Sequence, residues 1–155
     1  FENSIGDPDE TLYGWLIYRS DSKFDATPDS QVKFEGKRSL KVSFRNYIKP
    51  TLYNIAQIIT TVPGQKYRLK FMLRTDELRT GGPPFLEVAT VKTNIVIASS
   101  PPFPIGSQDW KEVAVEFAVP DGVEGIIIRT VRANCGEQCP IAGTLWYDDF
   151  RLSRL

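Results

Sequence analysis

The sequence contains no histidine, and it has only two cysteines and one methionine among 155 residues. Histidine is the commonest general base and the usual partner of serine or cysteine nucleophiles, so its absence excludes most triads of that kind. The Gly-x-Ser-x-Gly turn and phosphate-cradling glycine loops are absent too. These absences predict a protein that binds a partner and is not an enzyme.

Net charge and long apolar runs are also missing. The 19 lysines and arginines equal the 19 aspartates and glutamates in number, so no overall field attracts nucleic acid. The longest apolar run, around residues 125–128, is far shorter than the ~20 residues that span a bilayer. We therefore expect neither nucleic-acid binding nor membrane insertion.

The length and the first residues predict one domain, covering residues 1–155, of a larger protein. A chain of this size can bury a core of its own. It begins with Phe1-Glu2-Asn3, without an initiator methionine or a signal-peptide pattern, which indicates a domain excised from a longer polypeptide. The rest of that polypeptide is then an expected partner.

Cys135 and Cys139 lie in the segment Asn-Cys-Gly-Glu-Gln-Cys-Pro, where a small disulfide ring is sterically possible. A disulfide favours a periplasmic or extracellular location, since such bonds persist in oxidising compartments. Two reduced surface thiols are the alternative. A metal site is disfavoured, because two thiolates without histidine do not complete a tetrahedral ligand set.

Apolar residues alternate with polar ones over short segments bounded by Gly, Pro, Asn or Asp, as in β-strands. Strands are predicted at residues 12–18, 39–44, 55–62, 67–74, 85–91, 94–98, 110–119, 125–132 and 144–152. Since helical periodicity is nearly absent, the pattern predicts an all-β protein with two packed antiparallel sheets. Val62-Pro63-Gly64-Gln65 suits a type II turn, and we expect residues 67–74 to return as the hairpin partner of residues 55–62.

A series of short motifs runs in order through nearly the whole chain. They are Phe1-Glu2-Asn3, Gly14-Trp15, Gly-Lys-Arg-Ser-Leu-Lys-Val at 36–42, Gln57, Val62-Pro63-Gly64, Tyr67-Arg68-Leu69, Arg74, Asp109-Trp110, Phe117-Ala118-Val119-Pro120 and Leu-Trp-Tyr-Asp-Asp-Phe-Arg-Leu at 145–152. This order resembles the carbohydrate-binding-module jelly rolls of the galactose-binding-like superfamily, such as modules attached to xylanases and related domains of bacterial exported proteins. The resemblance implies an antiparallel jelly-roll β-sandwich with two sheets of about four or five strands.

The resemblance also implies a structural calcium ion between the start of the first strand and the last strand. Glu2, Asp148 and Asp149 match the acidic positions of such sites. Calcium takes about 6–8 oxygen ligands, and carboxylates from both ends of the chain would hold the termini together. The alternative is that Asp148 and Asp149 only accept hydrogen bonds from backbone amides at a strand end.

Sugar binding needs an aromatic surface and planar polar groups. Members of the family use a glutamine and an arginine on a concave sheet, and Gln57 and Arg74 match them on what we expect to be neighbouring strands. Other polar residues would contribute to the same binding surface if their strands lie beside the strands of Gln57 and Arg74. The candidate ligand-binding residues are Tyr53, Gln57, Arg74, Glu87, Arg129 and Arg132. The alternative for each arginine is a solvated sheet face or a cross-strand ion pair.

Trp110 begins a predicted strand and Trp146 directly precedes Tyr147 and the two aspartates, both at framework positions of the family, so we expect both to serve in packing. Adjacent residues on a strand point to opposite faces, which argues against Asp148 and Asp149 as a glycosidase pair. The sequence thus predicts a non-catalytic module that binds a polysaccharide or oligosaccharide. The alternative is a structural or protein-interaction domain of an exported bacterial protein that does not bind sugar.

Overall fold

The computed structural model describes residues 14–17, 22–49 and 55–155, and all regular structure in these ranges is β-strand. The strands are β1 (Trp15–Ile17), β2 (Phe24–Asp29), β3 (Ser39–Tyr47), β4 (Ile55–Thr60), β5 (Lys66–Thr80), β6 (Pro84–Thr90), β7 (Val96–Ser99), β8 (Gly106–Ala118), β9 (Gly125–Arg132) and β10 (Ile141–Arg154). Within the same ranges, no helix is long and apolar enough to cross a membrane. The prediction of an all-β protein is confirmed.

The strands form two five-stranded antiparallel sheets. Sheet A has the order β1-β4-β9-β6-β7, and sheet B has the order β2-β3-β10-β5-β8. Every pair of neighbouring strands is antiparallel. The predicted sandwich of two sheets, each with about four or five strands, is therefore confirmed.

The core lies between the sheets and follows from the alternation in each strand. In β3, Leu40 and Val42 are fully buried while Lys41 between them is half-buried on the outer face. Ile126 and Ile128 of β9 are fully buried on the facing sheet. Burying each such side chain stabilises the fold by about 1.5–3 kcal/mol, so the inner faces hold the sheets together.

One hydrogen bond crosses this apolar core. The hydroxyl groups of Tyr147 on β10 and Thr130 on β9 lie 2.8 Å apart and connect sheet B to sheet A. Complete burial raises the pKa of Tyr147 well above its usual range, although the bond to Thr130 opposes the shift. The phenol is therefore neutral at physiological pH, and the buried oxygen is satisfied by its partner.

The connection between β4 and β5 corrects the expected hairpin. The predicted turn forms, since the amide of Gln65 donates to the carbonyl oxygen of Val62 at 3.3 Å and Gly64 has φ of 72°. However, β4 lies in sheet A and β5 in sheet B, so the chain crosses between the sheets. The hairpin prediction was wrong because alternation shows which face of a strand is buried, not which strand lies beside it.

The alternating pattern did not predict β2. This strand contains Pro28 and few apolar residues, and it lies at the edge of sheet B, where proline is tolerated because one side of the strand makes no ladder hydrogen bonds.

Cys135 and Cys139 form a disulfide with a Cα–Cα distance of 5.4 Å, which confirms the predicted pairing. The Sγ atom of Cys139 accepts a hydrogen bond from Arg132 at 3.2 Å. Arg132 also donates to the carbonyl oxygens of Gly82 at 3.2 Å and Lys49 at 2.8 Å. Arg132 thus holds three loop segments together at one end of the sandwich.

This placement corrects the expectation that Arg132 lines an open sheet face. Ile126, Ile128 and Thr130 point inward along β9, and the two-residue period turns Arg132 inward as well. The side chain is only 6% exposed, and this desolvation lowers its pKa below the usual range of arginine. Its role in the structure is to satisfy buried acceptors.

We expect Arg132→Met to reduce the free energy of unfolding by about 3 kcal/mol, because the buried carbonyl oxygen of Gly82, the carbonyl oxygen of Lys49 and the hydroxyl of Thr80 would lose their donor. Methionine keeps most of the apolar stem. Chemical denaturation measures the change. Arg154→Met, at an exposed position of β10, is the control and should alter stability by less than about 0.5 kcal/mol. Equal losses in the two variants would contradict this role.

Candidate functional site

The structure does not gather the predicted ligand-binding residues on one surface. Gln57 is on β4 in sheet A, whereas Arg74 is on β5 in sheet B, so the expectation of neighbouring strands was wrong. Gln57 pairs with Trp15 and lines a cavity at one end of the sandwich, while Arg74 lies on the outer face of sheet B. Tyr53 lies outside the described residues.

Glu87 and Arg129 meet at the centre of sheet A. They are register partners on β6 and β9, and their side chains are 13% and 12% exposed. The Nε atom of Arg129 donates to Oε1 of Glu87 at 2.9 Å, Nη2 donates to the same oxygen, and Nη1 donates to Oδ1 of Asn94 at 2.7 Å. We call this the Glu87–Arg129 pair. Its contacts fix both side chains in place.

Apolar side chains surround the pair on the outer face of sheet A. By register they are Ala56 and Ile58 of β4, Phe85 and Ala89 of β6, and Ile127 and Val131 of β9. In the described part of the chain, Oε2 of Glu87 accepts no hydrogen bond, and it is not one of the enclosed polar atoms without a partner. Ala56, Ala89 and Val131 are buried, while Phe85, Ile127 and Ile58 are partly exposed, so the face offers a fixed acceptor beside a small apolar surface.

A polar cavity of about 330 Å³ lies at one end of the sandwich, between sheet A and β10. It is lined by Trp15, Glu35, Gly36, Gln57, Asp148, Asp149 and Phe150. The rings of Trp15 and Phe150 meet edge to face, with their centroids 4.7 Å apart. The cavity brings together Gln57 and the two aspartates that the sequence assigned to different sites.

The aspartates of this cavity are engaged within the protein. Asp148 is 3% exposed, and its Oδ2 atom accepts from the amides of Phe34 at 2.7 Å and Glu35 at 3.2 Å. Its Oδ1 atom accepts from the amide of Asp149 at 2.8 Å. The Nε atom of Arg151 donates to Oδ1 of Asp149 at 2.6 Å. Both carboxylate oxygens of Asp148 thus accept hydrogen bonds from backbone amides.

These contacts bear on the calcium prediction. Across residues 14–17, 22–49 and 55–155, no three acidic, cysteine or histidine side chains are grouped as a metal site would require. Glu2, the third expected ligand, lies outside those ranges. The described carboxylates do not form a calcium site by themselves, and calcium binding stays a prediction.

The outer face of sheet B carries an aromatic and cationic row. Register places Trp146 between Lys41 on β3 and Arg74 on β5. The Nζ atom of Lys41 lies 5.8 Å from the centroid of the Trp146 ring, and Cζ of Arg74 lies 5.6 Å from it. Trp146 is 6% exposed and donates from Nε1 to Oδ2 of Asp29 at 3.0 Å. As the sequence indicated, Trp146 serves in packing.

The loop of residues 30–38 lies over this face and was not recognised in the sequence. Oδ1 of Asp29 accepts from the amides of Gln31 at 2.8 Å and Val32 at 3.2 Å, while Asp148 binds the amide of Phe34. The loop brings the Phe34 ring to 6.0 Å from that of Trp110, centroid to centroid. Two carboxylates therefore hold an aromatic residue over sheet B.

Solved structures of known proteins share the fold of this chain. No family model matches the chain, and none of the curated proteins matches. A solved CBM4 module is 14% identical with a TM-score of 0.62, over 92% of this chain and 86% of that one. The CBM22-1–GH10 modules of a Clostridium thermocellum endo-1,4-beta-D-xylanase, complexed with xylohexaose, are 15% identical with a TM-score of 0.58. That match covers 91% of this chain and 26% of the xylanase chain.

A cyclase from Fischerella sp. TAU is also similar, with 16% identity and a TM-score of 0.61 over 98% of this chain and 88% of the cyclase. Because all three identities are low, the likeness concerns the fold and not the site. The same architecture supports binding modules and an enzyme. The chain has the fold of a carbohydrate-binding-module-like jelly roll, as its motifs indicated.

We expect Asp29→Asn to destabilise the protein by about 1 kcal/mol at pH 7. Burial raises the pKa of Asp29, but hydrogen bonds from Trp146 and the loop amides outweigh burial, so the pKa lies below 3.8. The ionised carboxylate therefore stabilises the fold fully above pH 3.8, and its contribution is lost as pH falls through the lower folded pKa. Chemical denaturation at pH values from 7 to 2 measures the effect. The difference in free energy of unfolding between Asp29→Asn and the wild type should shrink only in acid.

Asp25→Asn is the matched control, because Asp25 lies four positions earlier on β2 and makes none of these loop contacts. Its effect should stay within about 0.5 kcal/mol. A difference between Asp29→Asn and wild type that is constant down to pH 2 would contradict the assignment.

Proposed function

We propose that the protein is a non-catalytic glycan-binding module whose ligand lies across the outer face of sheet A. The observation that carries this proposal is the Glu87–Arg129 pair, which is 12–13% exposed and fixed within an apolar surface. A pyranose needs polar groups for its hydroxyls and an apolar surface for its C–H faces. The outer face of sheet A supplies the polar groups in the pair and the apolar surface in the partly exposed side chains of Phe85, Ile127 and Ile58.

The geometry suits hydroxyl recognition. Oε1 of Glu87 is occupied by Arg129, so Oε2 is the atom that accepts a hydrogen bond from a sugar hydroxyl. The side chain loses little freedom on binding because it is already fixed, and this reduces the entropic cost of association. A carboxylate in a partly desolvated site also makes a stronger hydrogen bond than one in water.

The comparisons support the same ligand class. One similar structure is a CBM4 module, and another holds xylohexaose. A polysaccharide or oligosaccharide is therefore our proposed partner. The match to only 26% of the xylanase chain, together with the Cys135–Cys139 disulfide, supports a module of a larger protein in the periplasm or outside the cell.

The engaged carboxylates support a role without catalysis. Three backbone amides hold Asp148, and Arg151 donates to both Asp149 and Glu35. Catalytic acids and bases need to exchange protons with a substrate, and these groups instead accept hydrogen bonds from backbone amides or from Arg151.

One observation favours the alternative of a structural or protein-interaction domain. Four apolar residues near the β6–β7 end of sheet A are more than a third exposed, namely Ile58, Val91, Ile95 and Val96. Ile58 and Val91 also line a cavity of about 380 Å³. Exposed apolar surface of this kind is typical of contacts with another protein.

We expect Arg129→Met to weaken glycan binding at least about tenfold, because Glu87 would lose the partner that orients it. Glu87→Gln should have a similar effect by replacing the charged acceptor. A glycan array identifies the sugars, and calorimetry with xylohexaose and cellohexaose measures affinity. Thermal melting should show that the variants are folded.

Arg68→Met is the matched control. Arg68 forms a cross-strand ion pair with Glu116 on sheet B, but these side chains are 42% and 57% exposed. The control should bind sugars as the wild type does. Unchanged binding in Arg129→Met and Glu87→Gln would refute the proposed face, and release of shortened sugars would refute the non-catalytic role.

We further propose that Glu2, Asp148 and Asp149 contribute to a structural calcium site. A chelator should then lower the melting temperature by several degrees, since a ligand at about 100 times its dissociation constant stabilises by ~2.7 kcal/mol. In Asp149→Asn the chelator should have no effect. Asparagine tolerates the φ of 50° at this position, so the substitution tests the charge. No metal in elemental analysis, with an unchanged melting temperature, would exclude the site.

A further inference from the structure

A buried cation lies against the disulfide. Arg132 is 6% exposed, and its guanidinium donates hydrogen bonds to four acceptors. They are the carbonyl oxygens of Gly82 and Lys49, the hydroxyl of Thr80 at 2.9 Å and Sγ of Cys139 at 3.2 Å. All four acceptors are neutral, and no ion pair among residues 14–17, 22–49 and 55–155 includes Arg132. Since an uncompensated buried charge is costly, a negative charge on Cys139 would be stabilised here.

Backbone contacts hold the sulfur atom of Cys139 at this position. Cys139 is fully buried, and its amide donates to the carbonyl oxygen of Ile48 at 3.0 Å. A Cβ atom added to Gly82 would lie 2.6 Å from Sγ of Cys139 and 2.9 Å from Sγ of Cys135, so both sulfur atoms pack directly on the glycine backbone. Because these contacts do not depend on the S–S bond, we expect Cys139 to stay beside Arg132 when that bond opens.

The two cysteines differ in their access to solvent. Cys135 is partly exposed, whereas Cys139 is buried. Gly136 follows Cys135 with a φ of 101°, and a Cβ atom added to Gly136 would meet no atom of the described residues within 4 Å. An external thiol therefore has access to Cys135 from the side of Gly136 but not to Cys139. Access of this kind decides which sulfur atom of a disulfide is attacked.

The other ionisable groups around the disulfide act less strongly on the buried sulfur than Arg132 does. Tyr47 on β3 interacts electrostatically with Arg132, but its phenol is uncharged at pH 7. Lys49, Arg79 and Glu137 are exposed, so solvent screens their charges. Burial raises the pKa of a thiol, whereas a neighbouring arginine lowers it. Because this arginine is itself buried and donates to the sulfur, we expect its effect to prevail.

We propose that Cys135 is a site of reversible thiol–disulfide exchange with a low-molecular-weight thiol of the glutathione class. The thiolate of the small molecule attacks Sγ of Cys135 and forms a new S–S bond there, while the Cys135–Cys139 bond breaks. The electron pair of that bond leaves on Sγ of Cys139, and Arg132 stabilises the resulting thiolate, which speeds the step. One disulfide replaces another, so no further oxidant or reductant is required. The reverse attack by Cys139 restores the ring, and neither step depends on glycan binding.

Ultraviolet absorbance of the thiolate measures the pKa of each thiol in single-cysteine variants of the full chain. In Cys135→Ser, the thiol of Cys139 should have a pKa of about 7.5 or lower despite its burial, whereas in Cys139→Ser the thiol of Cys135 should stay near the ordinary value of about 8.5. Adding Arg132→Met to Cys135→Ser should raise the pKa of Cys139 above about 8.5, because only burial then acts. Arg79→Met in the same background is the matched control and should leave that pKa unchanged, because Arg79 is 73% exposed and paired with Glu77.

Exchange itself is followed by incubating the folded wild type with excess reduced glutathione at neutral pH and stopping the reaction with acid. Mass spectrometry of the peptides should find glutathione on Cys135 and none on Cys139. An adduct on Cys139, or no adduct at all, would overturn the proposal, and so would a pKa of Cys139 at or above about 8.5 in Cys135→Ser. Thermal melting checks that each variant is folded. If the Arg132→Met variant does not fold, the comparison of the two single-cysteine variants still decides.

Discussion

Burial of the two inner sheet faces is the constraint on which the other features of this protein depend. Leu40 and Val42 of sheet B and Ile126 and Ile128 of sheet A are fully buried. Because side chains alternate along each strand, fixing these residues inward also fixes which residues point outward. Recognition chemistry is thereby confined to the outer faces and to the ends of the sandwich.

The outer faces use charged residues in two physically different ways. The Arg68–Glu116 pair is 42% and 57% exposed, so solvent screens it and it adds little to stability. The Glu87–Arg129 pair is 12–13% exposed and has a further contact to Asn94, which fixes its geometry. Fixed polar groups in partly desolvated surroundings are suited to recognition, whereas exposed pairs mainly keep a sheet face hydrated.

The carboxylates and arginines at the ends of the sandwich hold loops in place. Asp29 and Asp148 bind the amides of the loop at residues 30–38, and Arg132 binds the carbonyl oxygens of Gly82 and Lys49. Each therefore satisfies backbone groups that have no partner in a sheet. These ionisable residues therefore have a structural use, which is to fix the positions of the loops.

The two-residue period and the turn residues were sufficient to predict an all-β sandwich and the turn at Pro63-Gly64, and the spacing of Cys135 and Cys139 favoured their disulfide over two reduced thiols. These features depend on neighbours within a few residues along the chain. Only the tertiary structure decided that Gln57 and Arg74 lie on different sheets, that Arg132 points inward and that Glu87 pairs with Arg129. Strand order depends on contacts between distant segments, and an alternating pattern fits equally well beside several possible neighbours.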